Sequence, residues 1–327
     1  MSLPDIKYCP GTLAKGFDTY STTCLKRLFN GKKVFHVLPY DSPDSHTDSD
    51  ILFDESRKHI SISGVQEKYS VILEKNKLRL TKEGERGTYI LKPAPSYGNR
   101  AGQMPANEHL TMQIARQVYG IETAENALIF FQNGDPTYIT KRFDVKEDGS
   151  KWAQEDFASL AEKTPQTHGE QYKYTGNYLD LFVLMKKYVP AYQIEALKLF
   201  KILIFNYVFS NGDAHLKNFS LLETPMGDFR LSPAYDLFNS RIHIEDSDFA
   251  LEDGLLPRNL AQGTMGKQFF TLAEKAELNE KQIIKIVESF RGNCERVEQL
   301  IQASFLNEKT KRNYQQSYHS KLKRIFK

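Results

Sequence analysis

The sequence predicts a two-lobed α+β protein in which strands dominate the first lobe and helices dominate the second. The chain has 327 residues, which is long enough for two cooperating lobes, and its 40% hydrophobic and 26% charged residues are an ordinary globular composition. Strand-like patterns end near residue 144, and helical periodicity prevails beyond Glu155. We therefore expect an N-terminal cap segment at residues 1–58, a strand-rich lobe at 59–144 and a helical lobe at 145–327.

In the strand-rich lobe, short apolar runs alternate with polar breaks. Strands are predicted at 69–73, 78–80 and 88–91, and a hairpin at 128–131 and 137–140. Pro93 is expected to stop the pairing of the third strand, because proline has no N–H to donate. A helix is predicted at 107–119, where apolar residues fall on one face and Gly120 is a stop signal.

The helical lobe contains long amphipathic or buried segments, predicted at 178–188 and 194–210. One hairpin, at 219–222 and 229–231, interrupts the helices and directly follows residues 213–218. From Lys267 onward the pattern predicts helices that break at Gly292. Residues 211–218 are therefore expected to lie between a buried helix and a hairpin, where they would be held rigidly.

Bulk charge gives no reason to expect a membrane or a direct nucleic-acid partner. The 44 Lys+Arg against 41 Asp+Glu leave a net charge of only +3. The tail at 309–324 is locally basic, with interleaved Tyr314 and Tyr318. We interpret it as a solvated helix end, with a nucleic acid or an acidic partner as the alternative.

Cysteine content and hydropathy predict a cytoplasmic protein. Cys9, Cys24 and Cys294 lie too far apart for a zinc pattern, and their odd number argues against a secreted disulfide framework. The start of the chain lacks the apolar core of a signal peptide, and the most apolar run, residues 202–209, is far shorter than a bilayer span.

Residues 211–236 carry a pattern typical of phosphoryl transfer. That reaction needs a carboxylate to orient the attacking hydroxyl, oxygen ligands for magnesium and a cation on the phosphates. Asp213 and Asn218 are five residues apart, and Asp236 follows the predicted hairpin. His215 is placed where many kinases carry a lysine that contacts phosphate. Taken alone, Asp213 is also compatible with an ordinary turn, and His215 with a structural histidine.

Lys92 is the candidate for the phosphate cation, since it ends an apolar strand. Glu108 begins the next predicted helix and is expected to pair with it, although it also suits a helix N-terminus. The candidate phosphate-covering turn is residues 61–68 (SISGVQEK), where Gly64 lets backbone N–H groups approach a nucleotide. Without the family comparison that follows, a solvated strand end is the favoured interpretation of Lys92.

Taken together, these segments resemble the HipA-like kinases. The resemblance spans about residues 58–300, and six motifs keep their order and spacing. They are SISGVQEK at 61–68, ILKP at 90–93, NE at 107–108, KRFD at 141–144, NGDAHLKN at 211–218 and LSPAYD at 231–236. The resemblance implies a bilobal protein-kinase-like fold, with ATP and Mg²⁺ as cofactors and the nucleotide bound between the lobes.

The resemblance also implies roles for individual residues. Asp213 is the implied catalytic base, Asn218 and Asp236 the metal ligands, and Lys92 the residue that binds the nucleotide phosphates. Lys141 to Phe143 is the implied adenine-side hinge. Ser61 or Ser63 is the implied autophosphorylation site, because in the family a serine of the phosphate loop is modified and the loop then leaves the ATP site. The remaining implied ATP contacts are Ser63, Gly64, Val65, Gln66, Glu67, Lys68, Glu108, His215, Lys217 and Tyr235.

At the level of biology, the resemblance implies a toxin of a toxin–antitoxin system that phosphorylates a protein substrate, such as a translation component. Only 60 residues precede Ser61, so the chain is more similar to the short, HipT-type members, in which the missing N-terminal subdomain is a separate protein. An antitoxin or a small subdomain-like partner is therefore expected. Two alternatives stay open, namely a lipid or small-molecule kinase and a catalytically idle binding module.

Overall fold

A computed structural model of the chain describes residues 6–43, 67–96 and 98–327. Residues 61–66 of the predicted phosphate loop lie outside these ranges. The chain divides into two compact units. The first comprises residues 1–113, 124–149 and 299–311, and the second comprises 114–123, 150–298 and 312–327.

The first unit is built on a five-stranded antiparallel sheet with the strand order β2-β1-β3-β5-β4. The strands are β1 Tyr69–Glu74, β2 Lys77–Leu80, β3 Tyr89–Pro93, β4 Asn126–Phe130 and β5 Pro136–Lys141. Helix α1 (Thr22–Phe29) is capped at its N-terminus by Ser21, whose side chain accepts a hydrogen bond from the Cys24 N–H. Its buried side chains pack with those of the sheet in one hydrophobic core.

All strands predicted for this unit are present, with ends that differ by one or two residues. β3 ends at Pro93, which lies opposite Thr137 as the last pair of the ladder, so the expectation that Pro93 stops the pairing is confirmed. A terminal strand position tolerates proline because few ladder bonds are lost there. The predicted helix begins earlier than expected, at the start of α2 (Met104–Gln117).

The second unit is mainly helical and contains a three-stranded antiparallel sheet. Its sheet is formed by β6 Gln154–Asp156, β7 Ser220–Glu223 and β8 Phe229–Leu231. The helices from α3 onward are α3 Phe157–Leu160, α4 Pro165–His168, α5 Leu179–Tyr188, α6 Tyr192–Val208, α7 Met265–Lys275, α8 Glu280–Gly292, α9 Cys294–Ala303 and α10 Glu308–Ile325. Residues 299–311 belong to the first unit. They comprise the end of α9, the start of α10 and the connection between these helices.

Aromatic packing fixes the centre of the second unit around the buried helix α6. The Phe205 and Phe209 rings stack with their centroids 4.3 Å apart, and Phe209 also stacks on Tyr318 of α10 at 5.1 Å. Tyr119 stacks on Phe290 of α8 at 4.3 Å. Such ring pairs add to the hydrophobic gain of burial. The end of α6, where the NGDAHLKN segment begins, is therefore held in a tightly packed core.

The α+β prediction is confirmed, with one sheet-based unit and one helix-rich unit. The predicted break at Gly292 is also present, because α8 ends there and α9 starts at Cys294. None of the helices in the described ranges is long and apolar enough to cross a membrane.

Candidate active site

The NGDAHLKN segment leaves helix α6 through a sharp backbone turn. Ser210 adopts a left-handed conformation (φ 56°), which is uncommon for a residue other than glycine. Beyond it, the buried Asn211 donates from its backbone N–H to the Asn206 carbonyl (2.8 Å) and from Nδ2 to Asn206 Oδ1 (3.1 Å). The segment is therefore fastened directly to the last turns of the helix.

Gly212 is required by a close neighbour. A Cβ at this position would lie 2.3 Å from Asp246 Oδ2, far inside van der Waals contact. The Gly212 N–H donates to Ser240 Oγ (2.9 Å), which itself donates to the Ser210 carbonyl (2.9 Å). Asp246 and Ser240 both follow the LSPAYD motif, so the segment after that motif packs against the start of NGDAHLKN.

Asp213 lies beside several charged groups and one hydroxyl. The Tyr174 hydroxyl donates to Asp213 Oδ1 (2.9 Å). Burial raises the pKa of Asp213, with smaller increases from the negative charges of Asp246 and Asp236. The hydrogen bond from Tyr174 and the charge of Lys173 lower this pKa in part. A carboxylate with a raised pKa has more affinity for a proton, as a general base requires.

His215 is buried next to Asp213 and is neutral at pH 7. Its ring meets the Tyr174 ring edge-on, with centroids 5.1 Å apart. Burial lowers the pKa of His215 to about 4, assisted by the positive charges of Lys173 and Lys217. Its Nδ1 has no hydrogen-bond partner in the part of the chain that the structure describes.

The buried neutral state of His215 predicts a loss of stability in acid. Its folded pKa lies below the ordinary value of 6.5, so the unfolded chain binds the proton more tightly. Stability from this group is complete above pH 6.5 and falls as the pH drops toward 4, by about 3 kcal/mol over the whole window. Urea unfolding of the wild type and His215→Gln at pH 7 and pH 4.5 measures the difference. We expect a smaller acid loss for His215→Gln, and the exposed His168→Gln is the control. Equal losses in all three proteins would contradict the prediction.

Asn218 and Asp236 lie on the two sides of the hairpin formed by β7 and β8. Asn218 ends a short 3-10 turn, and its N–H donates to the His215 carbonyl (2.9 Å). Asp236 follows the hairpin in a left-handed conformation (φ 54°), and Asn211 Nδ2 lies 3.4 Å from its carbonyl oxygen. Asn211, Asn218 and Tyr235 line one small cavity together. The residues predicted as metal ligands are thus held by the same framework.

Lys217 and Tyr235 connect the two motifs. The Tyr235 hydroxyl donates to the Lys217 carbonyl (2.9 Å) and lies 3.1 Å from Ser220 Oγ. Lys217 Nζ lies 3.9 Å from an Asp156 carboxylate oxygen. Within the described residues, no group of three His, Cys, Asp or Glu side chains is arranged to hold a metal ion. An amide and a carboxylate oxygen fit magnesium, which takes few protein ligands and completes its shell with water and phosphate oxygens.

In the first unit, Lys92 and Glu108 form a buried ion pair. Lys92 Nζ lies 2.7 Å from Glu108 Oε1, and each side chain is only 5% exposed. Lys92 Nζ also lies 5.4 Å from the centroid of the Tyr138 ring. Lys92 comes from β3 and Glu108 from α2, so the pair joins the sheet to the helix. The ion pair expected from the sequence is present.

Contacts of their own are present for other predicted residues of the first unit. Lys141 Nζ donates to Asn30 Oδ1 (2.7 Å), and burial lowers the pKa of Lys141. Phe143 and Lys68 are half-buried, and the Glu67 carboxylate accepts a hydrogen bond from the Tyr69 hydroxyl. The remaining predicted residues lie outside the described ranges, namely Ser61, Ser63, Gly64, Val65 and Gln66.

The sequence analysis missed three residues around Asp213. Lys173 and Tyr174 lie about 40 positions upstream in a polar turn, and Asp246 lies in the segment after LSPAYD. The only sequence signal was indirect, since Gly212 indicated that some group approaches the backbone closely.

Solved structures define the class of fold. The chain is similar, with a TM-score of 0.62 and 20% identity, to a chain in the complex of the Shewanella oneidensis MR-1 toxin–antitoxin system HipA and HipB with operator DNA. The match covers 81% of this chain and 64% of that one. A Helicobacter pylori proinflammatory kinase, CtkA, matches with a TM-score of 0.52 and 15% identity over 79% of this chain and 93% of that one. The fold is therefore kinase-like.

Sequence comparison identifies the family. Residues 60–298 match the family model of the HipA-like C-terminal domain, and the chain belongs to this family. A Haemophilus influenzae protein named "Putative kinase" is 25% identical over 311 residues, 88% of this chain and 87% of the relative. The Sinorhizobium fredii protein named "Putative kinase Y4dM" is 30% identical over 280 residues, 78% of this chain and 65% of the relative. The chain thus spans just under two thirds of this second relative.

Proposed function

We propose that this chain is a serine/threonine protein kinase that transfers the γ-phosphate of ATP to protein hydroxyls with the help of Mg²⁺. Asp213 is the observation that carries the proposal. Its carboxylate accepts a hydrogen bond from Tyr174, its pKa is raised, and the charge of Asp236 contributes to that shift. Family membership and relatives that carry kinase names support the same activity.

In this proposal, the second unit supplies the groups that act on the transferring phosphate. Asp213 orients the acceptor hydroxyl and takes its proton. Asn218 and Asp236 hold Mg²⁺, which when bound neutralises charge on the nucleotide phosphates. The negative charge around Asp213, to which Asp236 and Asp246 contribute, fits a divalent cation. His215, Lys217 and Tyr235 complete the set proposed to contact ATP.

The first unit is proposed to hold the rest of the nucleotide. Lys92 binds the α- and β-phosphates, and Glu108 fixes its side chain. Residues 63–68, comprising Ser63, Gly64, Val65, Gln66, Glu67 and Lys68, cover the phosphates. Lys141 and Phe143 lie in the proposed adenine-side hinge. We further propose that Ser61 or Ser63 is autophosphorylated and that this modification opens the loop.

The biological part of the proposal follows the family. The similar structure from Shewanella oneidensis MR-1 contains HipA and HipB of a toxin–antitoxin system. We propose that this chain is likewise a cytoplasmic toxin countered by an antitoxin, or joined by a small partner protein near residues 1–60. Its substrate would be a protein, such as a translation component.

Labelling with γ-phosphate tests the proposal directly. Purified protein incubated with labelled ATP and Mg²⁺ is expected to incorporate phosphate at Ser61 or Ser63, as read by phosphopeptide mass spectrometry, and EDTA is expected to prevent it. Labelling of a lysate would then reveal protein substrates. If calorimetry shows no magnesium-dependent ATP binding and no phosphate is transferred, the proposal is wrong and a binding module becomes the better description.

A further inference from the structure

A short turn beside Asp213 contains a second set of polar groups to which the proposed reaction has not assigned a role. Residues Tyr172–Tyr174 form one 3-10 turn. The Tyr174 hydroxyl donates to Asp213 Oδ1 (2.9 Å), while its ring contacts the His215 ring edge-on. One side chain therefore touches two residues of the NGDAHLKN motif.

Main-chain hydrogen bonds hold this turn in place. The Glu252 N–H donates to the Tyr174 carbonyl (2.9 Å), and the Asp253 N–H donates to the Gly176 carbonyl (3.1 Å). Lys163 Nζ donates to the carbonyl of Thr175 (2.9 Å). Because the backbone is fixed at Tyr174 and at the two residues that follow it, the Tyr174 hydroxyl is presented to Asp213 in a defined position.

Lys173 places a positive charge next to the same residues. Its ammonium lies 5.0 Å from the centroid of the Tyr174 ring. The Tyr174 side chain in turn contacts both Asp213 and His215, and the charge of Lys173 lowers the pKa of both residues. No carboxylate lies within ion-pair distance of Lys173 in the described ranges. The charge is thus available to a ligand.

Phosphoryl transfer needs such a charge at this point. The transition state spreads negative charge over the three equatorial oxygens of the γ-phosphoryl group. The His215 ring, which meets the Tyr174 ring edge-on, can offer a hydrogen bond to these oxygens. Lys173 supplies a positive charge on the Tyr174 side of this ring, in addition to that of Lys217.

We propose that Lys173 is a catalytic residue whose ammonium contacts the transferring phosphoryl group, and that Tyr174 is a positioning residue that holds Asp213. This inference rests on the kinase activity proposed above. In the step, the acceptor oxygen forms a bond to the γ-phosphorus as the bond to the β–γ bridging oxygen breaks. The hydroxyl proton passes to Asp213, ADP leaves with the electron pair, and Lys173 stays protonated throughout.

The chain contains a matched control for this pair. Lys187 and Tyr188 form the same dipeptide at the end of α5, with Lys187 Nζ 4.8 Å from the ring centroid of Tyr188. No contact joins this second pair to the NGDAHLKN motif in the described part of the chain. If Lys173 served only in local cation–π packing, replacing Lys173 and replacing Lys187 should have the same effect on phosphate transfer.

The experiment compares Lys173→Met, Lys173→Gln and Lys173→Arg with Lys187→Met in the full chain. The kcat for γ-phosphate transfer is expected to fall about 100-fold to 1000-fold in Lys173→Met and Lys173→Gln, as for loss of one group that stabilises transition-state charge. Lys173→Arg should stay within about tenfold of the wild type because it keeps the charge. Tyr174→Phe should lower kcat about tenfold through the lost hydrogen bond. Calorimetric affinity for Mg-ATP should change by less than about threefold in every variant, since the contact is made mainly in the transition state.

The outcomes separate the two proposals. If the wild type transfers no phosphate, the kinase proposal fails, and the role of Lys173 fails with it. If the wild type is active and Lys173→Met is as active as Lys187→Met, only the role of Lys173 is wrong. A loss of Mg-ATP affinity as large as the loss of activity would also overturn it, because that pattern indicates uniform binding. Lys173→Met and Lys173→Gln remove the same charge with side chains of different shape, and thermal unfolding checks that each variant is folded. A folding defect in one of them therefore does not decide the result.

Discussion

Replacement of Asp213 by alanine is expected to reduce γ-phosphate transfer by at least about 1000-fold, because the acceptor hydroxyl then has no group to orient it and take its proton. Asp213→Asn sharpens the experiment, since its amide oxygen can still accept the hydrogen bond from Tyr174. The readout is labelling of the chain itself and of a whole-cell lysate. Asp253→Asn is a matched control, because the Asp253 carboxylate pairs with the exposed Arg258 (3.0 Å), while its bond to the Tyr174 turn is made by the backbone N–H, which the substitution keeps. Labelling by Asp213→Ala at the control rate would rule out the assigned role of Asp213.

Asp213→Asn should lose activity but gain thermal stability. The pKa of Asp213 is raised by burial and by nearby negative charge, so the ionised carboxylate is less favourable in the folded chain than in the unfolded chain. Removal of this charge should therefore raise the midpoint of thermal unfolding at pH 7. A variant that is more stable and inactive is the expected signature of a functional carboxylate kept at a cost in stability. A less stable Asp213→Asn would contradict this sign.

Lys92→Met is expected to lose both stability and phosphate transfer. The variant removes one partner of a buried ion pair, a change that typically destabilises a fold by about 3–5 kcal/mol. Phosphate transfer should fall by more than about 100-fold, because the variant lacks the cation proposed for the α- and β-phosphates. Urea unfolding and labelling measure the two effects separately. Arg27→Met, which breaks a more exposed pair with Glu125, should show a smaller loss of stability.

A double variant separates stability from function. In Lys92→Met with Glu108→Gln, both charges of this buried pair are removed together, so most of the lost free energy of unfolding should return. Phosphate transfer should stay low, since the cation is still missing. Recovery of both would show that Lys92 acts only in the structure. Recovery of neither would show that the pair is irreplaceable for folding.

Most of the fold was predictable because its elements carry strong local patterns. Apolar and polar residues alternate in the strands around Val71 and Leu91, and the hairpin at Asn133 has a favourable turn sequence. The presence of these strands was therefore predicted correctly. Strand β6 was missed because its three residues, Gln154 to Asp156, have no apolar alternation. It is a strand because it pairs with β7, a contact far away in sequence.

The site was predictable only where its residues are close along the chain. Asp213, Asn218 and Asp236 fall within 24 positions and could be recognised by spacing. Lys173 and Tyr174 could not, because they reach Asp213 through main-chain bonds to residues 252 and 253, and a sequence does not reveal such bonds. The Lys187–Tyr188 dipeptide has the same sequence as Lys173–Tyr174 but no contact with the site in the described residues. The dipeptide sequence alone therefore does not predict a place in the site.

The first unit is assembled from segments that are far apart in the chain, and this limits when its folding can be completed during synthesis. Its residues 299–311 include Phe305, whose ring lies 5.9 Å from that of Phe130, and Asn307, whose N–H donates to Gln103 Oε1 (2.7 Å). These contacts cannot form until about 160 further residues have followed residue 149 out of the ribosome. At typical elongation rates this takes roughly 10 to 30 seconds. The strand-rich unit therefore finishes folding only after most of the helical unit has been translated.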